Sequence, residues 1–593
     1  MTQTVGVDQS GAVAAGARQT DPYAADEHAL IISGDQMHLP SGRMRRAAPT
    51  SPAQLRDLIG WAWSQRPPTV PHRLLQPRGG CPQVWIVGTD ALEALGWLID
   101  LPDGWDAMSP AERNRALAAA VERHLEAGAL DAFLDDGWEL RGKDPHPGPW
   151  IRLKRGSSMV DIILVVYAWA AEKSDRAGVL GIDPHADDPD DGTVDDVDDE
   201  LPDTSLSDDD ALAGAELGRR LAACVQHLDV LPAQSSGRTG AAIADRIWNA
   251  RRKSGKGVVI DAAGPIPDLE DGPGEHEDLE PPVSWTRHPD ALDVDAEFTG
   301  ATTLVELDQR RAYLGSTGIE FGYGTPTHVS GDHAANVIVD GWSQQRPKTP
   351  FALCRVWLPA GDEISVPDWL PLPHPLMRTD RRRQAWVTTR SVQGLCAPIM
   401  SGGAGLELDD LDIDQAWLWP HQGRVLDAWT KRLREAGRYF HTSGDVAMDQ
   451  MVKACYAMYI GRMQRADLWT GAAVAHHHQP VWRAFVMADT RWRNRAHAMA
   501  IYNQHGLKPL QTTTDSWVYM LGPVADPEHP DRDPQIPDLA DHTDRNGKLK
   551  LEKTVDMVDP IFVPLVLSLL EATTTREVSD ALTKAFNGEG LWD

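Results

Sequence analysis

Two blocks of like charge limit how this chain can fold. Residues 183 to 210 hold fourteen acids and no Lys or Arg, and residues 261 to 297 hold twelve acids against Arg287 alone. Runs this acidic and this poor in apolar residues read as solvated connectors between folded parts. A length of 593 residues also exceeds what one hydrophobic core covers, so about three or four structural units are expected. The divisions that follow are a disordered tail over 1–28, an N-terminal α/β domain over 29–181, an acidic linker over 182–210 and a helical basic segment over 211–260. A second acidic linker over 261–298, a region of concentrated chemistry over 299–525 and a C-terminal segment over 526–593 complete the chain.

The same two blocks reinterpret the net charge. A formal charge of −30 looks hostile to nucleic acid, but the blocks leave only about −5 to the rest of the chain, so acidity does not exclude a DNA partner. No uninterrupted apolar run reaches the roughly 18 residues of a membrane span. The polar start lacks the basic-then-apolar order of a signal peptide. Cys81, Cys224, Cys354, Cys396 and Cys455 form no Cys-x-x-Cys pair, which argues against a zinc site and against a disulfide framework. A reducing, cytoplasmic setting without membrane contact is expected.

In the N-terminal part, ALIISGDQMH at 29–38 and QVWIVGT at 83–89 read as strands, and ALAAAVERHLEAGALDAFL has helical spacing. The apolar run from Val160 to Ala171 ends this domain. Residues 211–230 form an amphipathic helix, followed by Arg246, Arg251, Arg252, Lys253 and Lys256. The end of the chain carries an apolar helix, IFVPLVLSLLEA.

Chemistry concentrates after Thr302, in three places. In LVELDQRRAYLGS an apolar strand delivers Asp308 at its end, with Tyr313 five residues on. In MVKACYAMYIGRM, Lys453 and Gly461 lie eight apart on a helix, and Lys453 can share a face with Tyr456 or Ile460. In LKPLQTTTDSWVYM, a hairpin is expected to carry Asp515 at its tip. Singly each is ordinary: a strand-end Asp is mostly a turn residue, a helix Lys mostly solvated, a Tyr mostly packing. Together they are the parts of in-line phosphoryl transfer, two carboxylates for a pair of Mg²⁺ ions and a cation for phosphates.

In order and spacing these places resemble the motifs of family-B DNA polymerases, above all the protein-primed branch of phages and linear plasmids. Asp308-Gln309-Arg310-Arg311-Ala312-Tyr313 keeps the Asp and Tyr of the first motif, Asp-x-x-Ser-Leu-Tyr. Lys453 to Gly461 keeps the Lys and Gly of the second, Lys-x-x-x-Asn-Ser-x-Tyr-Gly. Thr513-Thr514-Asp515-Ser516 keeps Thr-Asp-Ser of the third, Asp-Thr-Asp-Ser, and loses its first Asp to Thr513. The resemblance covers roughly 300–525, with an echo at Asn546 to Lys550. It implies an α+β, multi-domain fold: a palm of antiparallel sheet and helices with fingers over 299–525, a thumb-like segment over 526–593, and an α/β domain in the exonuclease position. It implies Asp308 and Asp515 as metal ligands for Mg²⁺ or Mn²⁺, and Asp308, Asp515 and Lys453 as the catalytic set. Tyr313, Lys453, Gly461 and Arg311 are expected at the nucleotide, and Lys550, Ser516, Arg491 and Arg495 at the DNA. The implied partners are primer-template DNA, deoxynucleoside triphosphates and a terminal protein.

The departures are Arg311 and Ala312 for Ser-Leu, Ala457 for Asn, and Ile460 for Tyr. The losses at Thr513, Ala457 and Ile460 favour a rival reading, a polymerase-fold protein that binds DNA ends or origins without catalysis. The exonuclease-position domain lacks the acid pattern of editing: Asp90 and Glu93, three apart, suit a helix start. His476-His477-His478 reads as surface, since adjacent histidines diverge and no carboxylate lies at helical spacing. SGGAG at 401–405 and KSGKG at 253–257 read as turns, without a full phosphate loop. Arg381 to Arg383 and Arg491, Arg493 and Arg495, interleaved with Trp386 and Trp492, suit phosphate tracking and base stacking.

Overall fold

The computed structural model describes residues 28–64, 82–100, 102, 104–105, 108–140, 150–155, 162–169, 206, 209–261, 279–292, 300–343, 349–523, 535–543, 545–557, 567–569 and 571–587. The expected tail, most of the first acidic linker and most of the apolar run IFVPLVLSLLEA lie outside them. The fold is α+β and multi-domain, with two compact units. One is drawn from Met1–Glu172 and Leu206–Pro232, the other from Lys173–Ser205 and Ala233–Asp593. Among the described residues no helix is long and apolar enough to cross a membrane.

The first unit is built on strands β1 (Ala29–Ser33), β2 (Gln36–His38), β3 (Met44–Arg46), β4 (Gln83–Val87), β5 (Trp138–Leu140), β6 (Trp150–Arg155) and β7 (Ile162–Val166). They form one mixed sheet in the order β3-β2-β1-β4-β7-β6-β5, in which β4 runs parallel to β1 and β7. All five residues of β4, QVWIV, are buried, as a strand in mid-sheet with covered faces requires. Helices α1 (Pro52–Ser64), α2 (Thr89–Leu95), α3 (Pro110–Glu126) and α4 (Asp131–Leu134) supply Leu55, Leu92, Val121 and Phe133 to its core. Helix α5 (Asp210–Ala223), expected as part of a separate basic segment, instead packs on β1 in this unit. Gly214 is what permits that approach, since a Cβ there would lie 2.7 Å from the Ser33 side chain.

In the second unit, α6 (Ser236–Lys253) is followed by β8 (Ser284–Thr286), β9 (Thr303–Gln309), α7 (Ala312–Ser316), β10 (Phe321–Tyr323), β11 (Thr327–Ser330) and α8 (Asp332–Ser343). Next come β12 (Ala352–Leu358), β13 (Arg383–Thr388), α9 (Thr389–Cys396), β14 (Gln415–Leu418), β15 (His421–Gly423), α10 (Asp427–Ser443) and α11 (Val446–Arg462). The series ends with α12 (Pro480–His505), β16 (Gln511–Thr513), β17 (Ser516–Leu521), β18 (Leu549–Asp556) and α13 (Thr575–Phe586). An antiparallel sheet in the order β18-β9-β17-β16-β8 forms its centre. A second sheet, β11-β14-β12-β13, packs on α8 and α9, and β10 pairs with β15.

Strand alternation explains how the central sheet is used. Val305 and Leu307 of β9 join Trp517 and Tyr519 of β17 and Ala498, Met499 and Ile501 of α12 in one core. On the opposite face Leu304, Met520 and Val555 pack with Leu582 of α13, and further along that same face β9 presents Glu306 and Asp308. The face therefore changes from apolar to acidic within two residues.

Two segments differ from the roles expected of them. The second acidic stretch does not run as a solvated linker to 298, because β8 lies at the edge of the central sheet and Glu280 is 0% exposed. Glu280 bonds to Arg491, His374, Ser391 and Thr388, partners that local charge density does not reveal. Likewise β18, from the segment expected as thumb-like, is a strand of the central sheet beside β9.

Candidate active site

Asp308 stands near the end of β9, the second strand of the central sheet, and is register-paired with Ser516 on one side and Lys550 on the other. Asp515 occupies the β16–β17 turn, one residue before Ser516, and its carbonyl accepts a bond from the Gln309 amide at 3.0 Å. The two carboxylates thus come from neighbouring strands of one sheet. The turn is held by α12: Asn494 Nδ2 donates to Thr512 Oγ1 at 3.1 Å and to the Thr514 carbonyl at 3.2 Å. Thr514, just before Asp515, has φ 45°, and Arg311, three residues after Asp308, has φ 51°. A left-handed conformation costs a non-glycine residue about 1–2 kcal/mol, and here it flanks both acids, as backbone strain at a built site does.

Electrostatics mark the same place. Burial pushes the Asp308 carboxyl up to about 6, against the pull of Lys550 and Lys453, while 26% of the side chain stays exposed. Burial, and then the charge of Asp308, push Asp515 well above the ordinary carboxylate range. Lys550 Nζ lies 3.4 Å from Asp308 Oδ2 and also pairs with Glu552. Burial works against the Lys550 charge, but Asp308 and Glu552 outweigh it and raise its pKa. Lys453 is exposed on α11, and its charge acts on both Asp308 and Asp515. Tyr456, one turn on and buried, is pushed up by burial and feels Arg311, Asp308 and Asp515. Helix α11 is seated against α6 by close backbone contact, since a Cβ at Gly240 would fall 2.4 Å from the Cys455 carbonyl oxygen.

The structure therefore brings Asp308, Asp515, Lys453 and Lys550 into one electrostatic site. The Arg311 guanidinium reaches α10 and α11, since its Nη2 and Asp449 Oδ1 each lie 3.6 Å from where a Gly437 Cβ would be. Tyr313 is partly buried on α7. Gly461 stands two turns beyond Lys453, about 12 Å of rise, and a Cβ there would meet no atom within 4 Å. Ser516 is buried, with its hydroxyl 2.7 Å from Thr513 Oγ1 and bonded to Glu306. Glu306 and Glu552 are carboxylates that motif reading passed over. Glu306 was findable from strand period alone, two residues from Asp308 on the same face.

Arg491 and Arg495 are corrections. Both are buried: Arg491 pairs with Glu280, and Arg495 donates to the carbonyls of Gly402 and Pro371. Guanidinium groups committed inside the core are not offered to a phosphate backbone. Trp386 is buried as well, while Trp492 carries the Arg390 guanidinium 4.3 Å from its ring centre. The histidine run, expected at the surface without a carboxylate, meets one. His476 Nε2 lies 2.6 Å from Asp245 Oδ1, and His477, 1% exposed, lies 3.3 Å from Asp245 Oδ2. The carboxylate comes from α6, far away in sequence. In the first unit, Asp210 of α5 likewise meets Asp90, whose amide donates to Asp210 Oδ2 at 3.2 Å.

The residues of the central-sheet site suit a divalent metal. Two carboxylates offer hard oxygen ligands, and their raised pKa values reflect a cost of charge that a divalent cation relieves.

No protein-family model and no curated protein matches the chain. Among solved structures it is similar to Phi29 DNA polymerase complexed with primer-template DNA and incoming nucleotides, at 9% identity and a TM-score of 0.42, covering 89% of this chain and 84% of that one. The same polymerase with single-stranded DNA matches at 9% identity and a TM-score of 0.41, over 88% and 81%. Its orthorhombic crystal form matches at 10% identity and a TM-score of 0.41, over 88% and 81%. The chemistry of the site rests on this chain's own residues.

Proposed function

We propose that this chain is a DNA polymerase that adds deoxynucleotides to a primer by metal-assisted nucleotidyl transfer. The observation that supports it is the convergence of Asp308 and Asp515, on neighbouring strands, with Lys453 presented to both from α11. Asp308 and Asp515 would hold Mg²⁺ or Mn²⁺, which supplies Lewis-acid stabilisation of the phosphoryl oxygens when bound. Lys453, exposed and close to both acids, neutralises the triphosphate of the incoming nucleotide. Tyr313 and Arg311, on the turn that follows Asp308, serve the nucleotide. Lys550 balances the charge of Asp308 and meets the primer end. Protein priming with a terminal protein, on a linear replicon in the cytoplasm, completes the reading by the resemblance of the motifs.

Primer extension with Mg²⁺ and all four deoxynucleotides tests it, comparing wild type with Asp515→Asn. Extension by wild type and a loss of about 10³-fold in the variant, the scale of removing one strong transition-state contact, are expected. If neither extends while both bind primer-template equally, the second reading holds: a polymerase-fold protein that binds DNA ends or origins. The observation that favours that reading is Thr513, whose hydroxyl bonds to Ser516 where the resembled family has an acid.

A further inference from the structure

Away from the central sheet, three helical elements of the second unit converge on one polar cluster. Asp245 projects from α6, and His476 and His477 lie in the turn Ala475–His477 that precedes α12. Their ligand-capable atoms, one from each residue, all lie within 4.8 Å of one another. His477 is fixed on two sides: its ring stacks on Trp248 at 5.7 Å between centroids, and its Nδ1 is 2.9 Å from the Tyr459 hydroxyl of α11. Its other nitrogen, Nε2, is buried, makes no hydrogen bond and is aimed at the Asp245 carboxylate. A hydrogen-bonded clasp accounts for His476 but leaves His477 Nε2 with only the 3.3 Å contact to Asp245 Oδ2, outside good hydrogen-bond geometry, and a poorly satisfied buried polar atom is costly.

We propose that Asp245, His476 and His477 form a zinc site with one position open to the neighbouring cavity. Two imidazoles and a carboxylate are a ligand set that zinc takes where it keeps a fourth, exchangeable position. At metal–ligand distances of about 2.0–2.1 Å, tetrahedral ligand atoms stand roughly 3.3 Å apart, which the 3.3 Å from His477 Nε2 to Asp245 Oδ2 matches; His476 Nε2 faces the other oxygen, Oδ1, so the carboxylate would turn to offer one oxygen to an ion shared by both histidines. The 2.6 Å between His476 and Asp245 opens slightly as the ion replaces the proton between them. The Tyr459 hydroxyl lies 2.9 Å from His477 Nδ1, and in the Nδ1–H tautomer it would accept from that nitrogen and leave the Nε2 lone pair to the metal, the outer-shell arrangement that orients histidine ligands. On the open side a cavity of about 280 Å³ is lined by Asp245 and His476 together with Asn249 and Arg252, room for water or a small anion at the fourth position. The ion would tie α6 to the turn that launches α12, the helix that holds Asp515 in place.

Zinc titration of the full chain carrying Asp308→Asn and Asp515→Asn, stripped of metal beforehand, tests the proposal without interference from the central sheet. One equivalent bound, with a rise in melting temperature on adding zinc, is expected. In that background Tyr459→Phe weakens zinc by about 10- to 100-fold, the usual effect of losing an outer-shell partner. His476→Ala abolishes the stoichiometric binding, and its 21% exposed side chain makes it the informative variant should His477→Ala fail to fold. Absence of stoichiometric zinc in the parent, or equal zinc binding in parent and His476→Ala, overturns the proposal and leaves a hydrogen-bonded clasp.

Discussion

Lys550 Nζ lies 3.4 Å from Asp308 Oδ2 across the β9–β18 pair, so the sheet carries its own cation beside one of the two acids. Even with that partner Asp308 is raised to about 6, and Asp515 is higher than an ordinary carboxylate, so without metal the site is electrostatically frustrated.

Metal-free stability should fall as pH rises through the site's titration. A carboxyl near 3.9 when unfolded and about 6 when folded binds more protons in the folded state, so its stabilising contribution is full below about pH 4 and is lost by about pH 6 and above. Asp308→Asn should therefore be more stable than wild type at pH 7.5, by up to about 3 kcal/mol, and equal to it near pH 4. Denaturant titrations in chelator at the two pH values read this, and Mg²⁺ should narrow the gap at pH 7.5. Identical curves for the two proteins at both pH values would sink the idea.

Lys453→Ala should leave the fold intact, because the side chain is exposed, and lower kcat/KM for deoxynucleotides by about 10- to 100-fold. That range corresponds to losing a charged hydrogen bond of about 1.5–3 kcal/mol. Steady-state extension kinetics with circular dichroism as a control measure it, and unaltered kinetics would remove Lys453 from the site.

Arg491→Met should destabilise by about 3–5 kcal/mol, because it removes the guanidinium charge paired with the buried Glu280 carboxylate, and Glu280→Gln should recover part of the loss. DNA affinity per folded molecule should not change. A drop in affinity without a drop in stability would restore Arg491 to the DNA interface.

Asn494→Ala removes the bonds that hold Thr512 and the strained Thr514. A cost of about 1–3 kcal/mol in stability is expected, with kcat falling more than primer-template affinity, since Asp515 loses its support while the DNA surface is untouched. Equal losses in both would assign Asn494 a purely structural part.

Much of the site was legible in the linear chain. Asp308 at the end of an apolar strand, Lys453 on a helix and Asp515 in a hairpin turn all follow from short-range periodicity and turn chemistry, and the structure places each on such an element. The errors share a cause. Glu280 looked like linker charge, Arg491 and Arg495 like a basic surface, and His476 and His477 like solvated residues without a carboxylate. In each case the partner is distant in sequence: Arg491 for Glu280, backbone carbonyls for Arg495, and Asp245 for the histidines.

The sequence by itself determined the local elements and the residue types able to bind a metal and a phosphate, because strand alternation, helical spacing and turn preference act over a few residues. Only the tertiary structure decided which charges are buried in pairs and which are left to a ligand. That choice depends on desolvation and on partners brought together by packing, as when β18 from the end of the chain sets Lys550 beside Asp308.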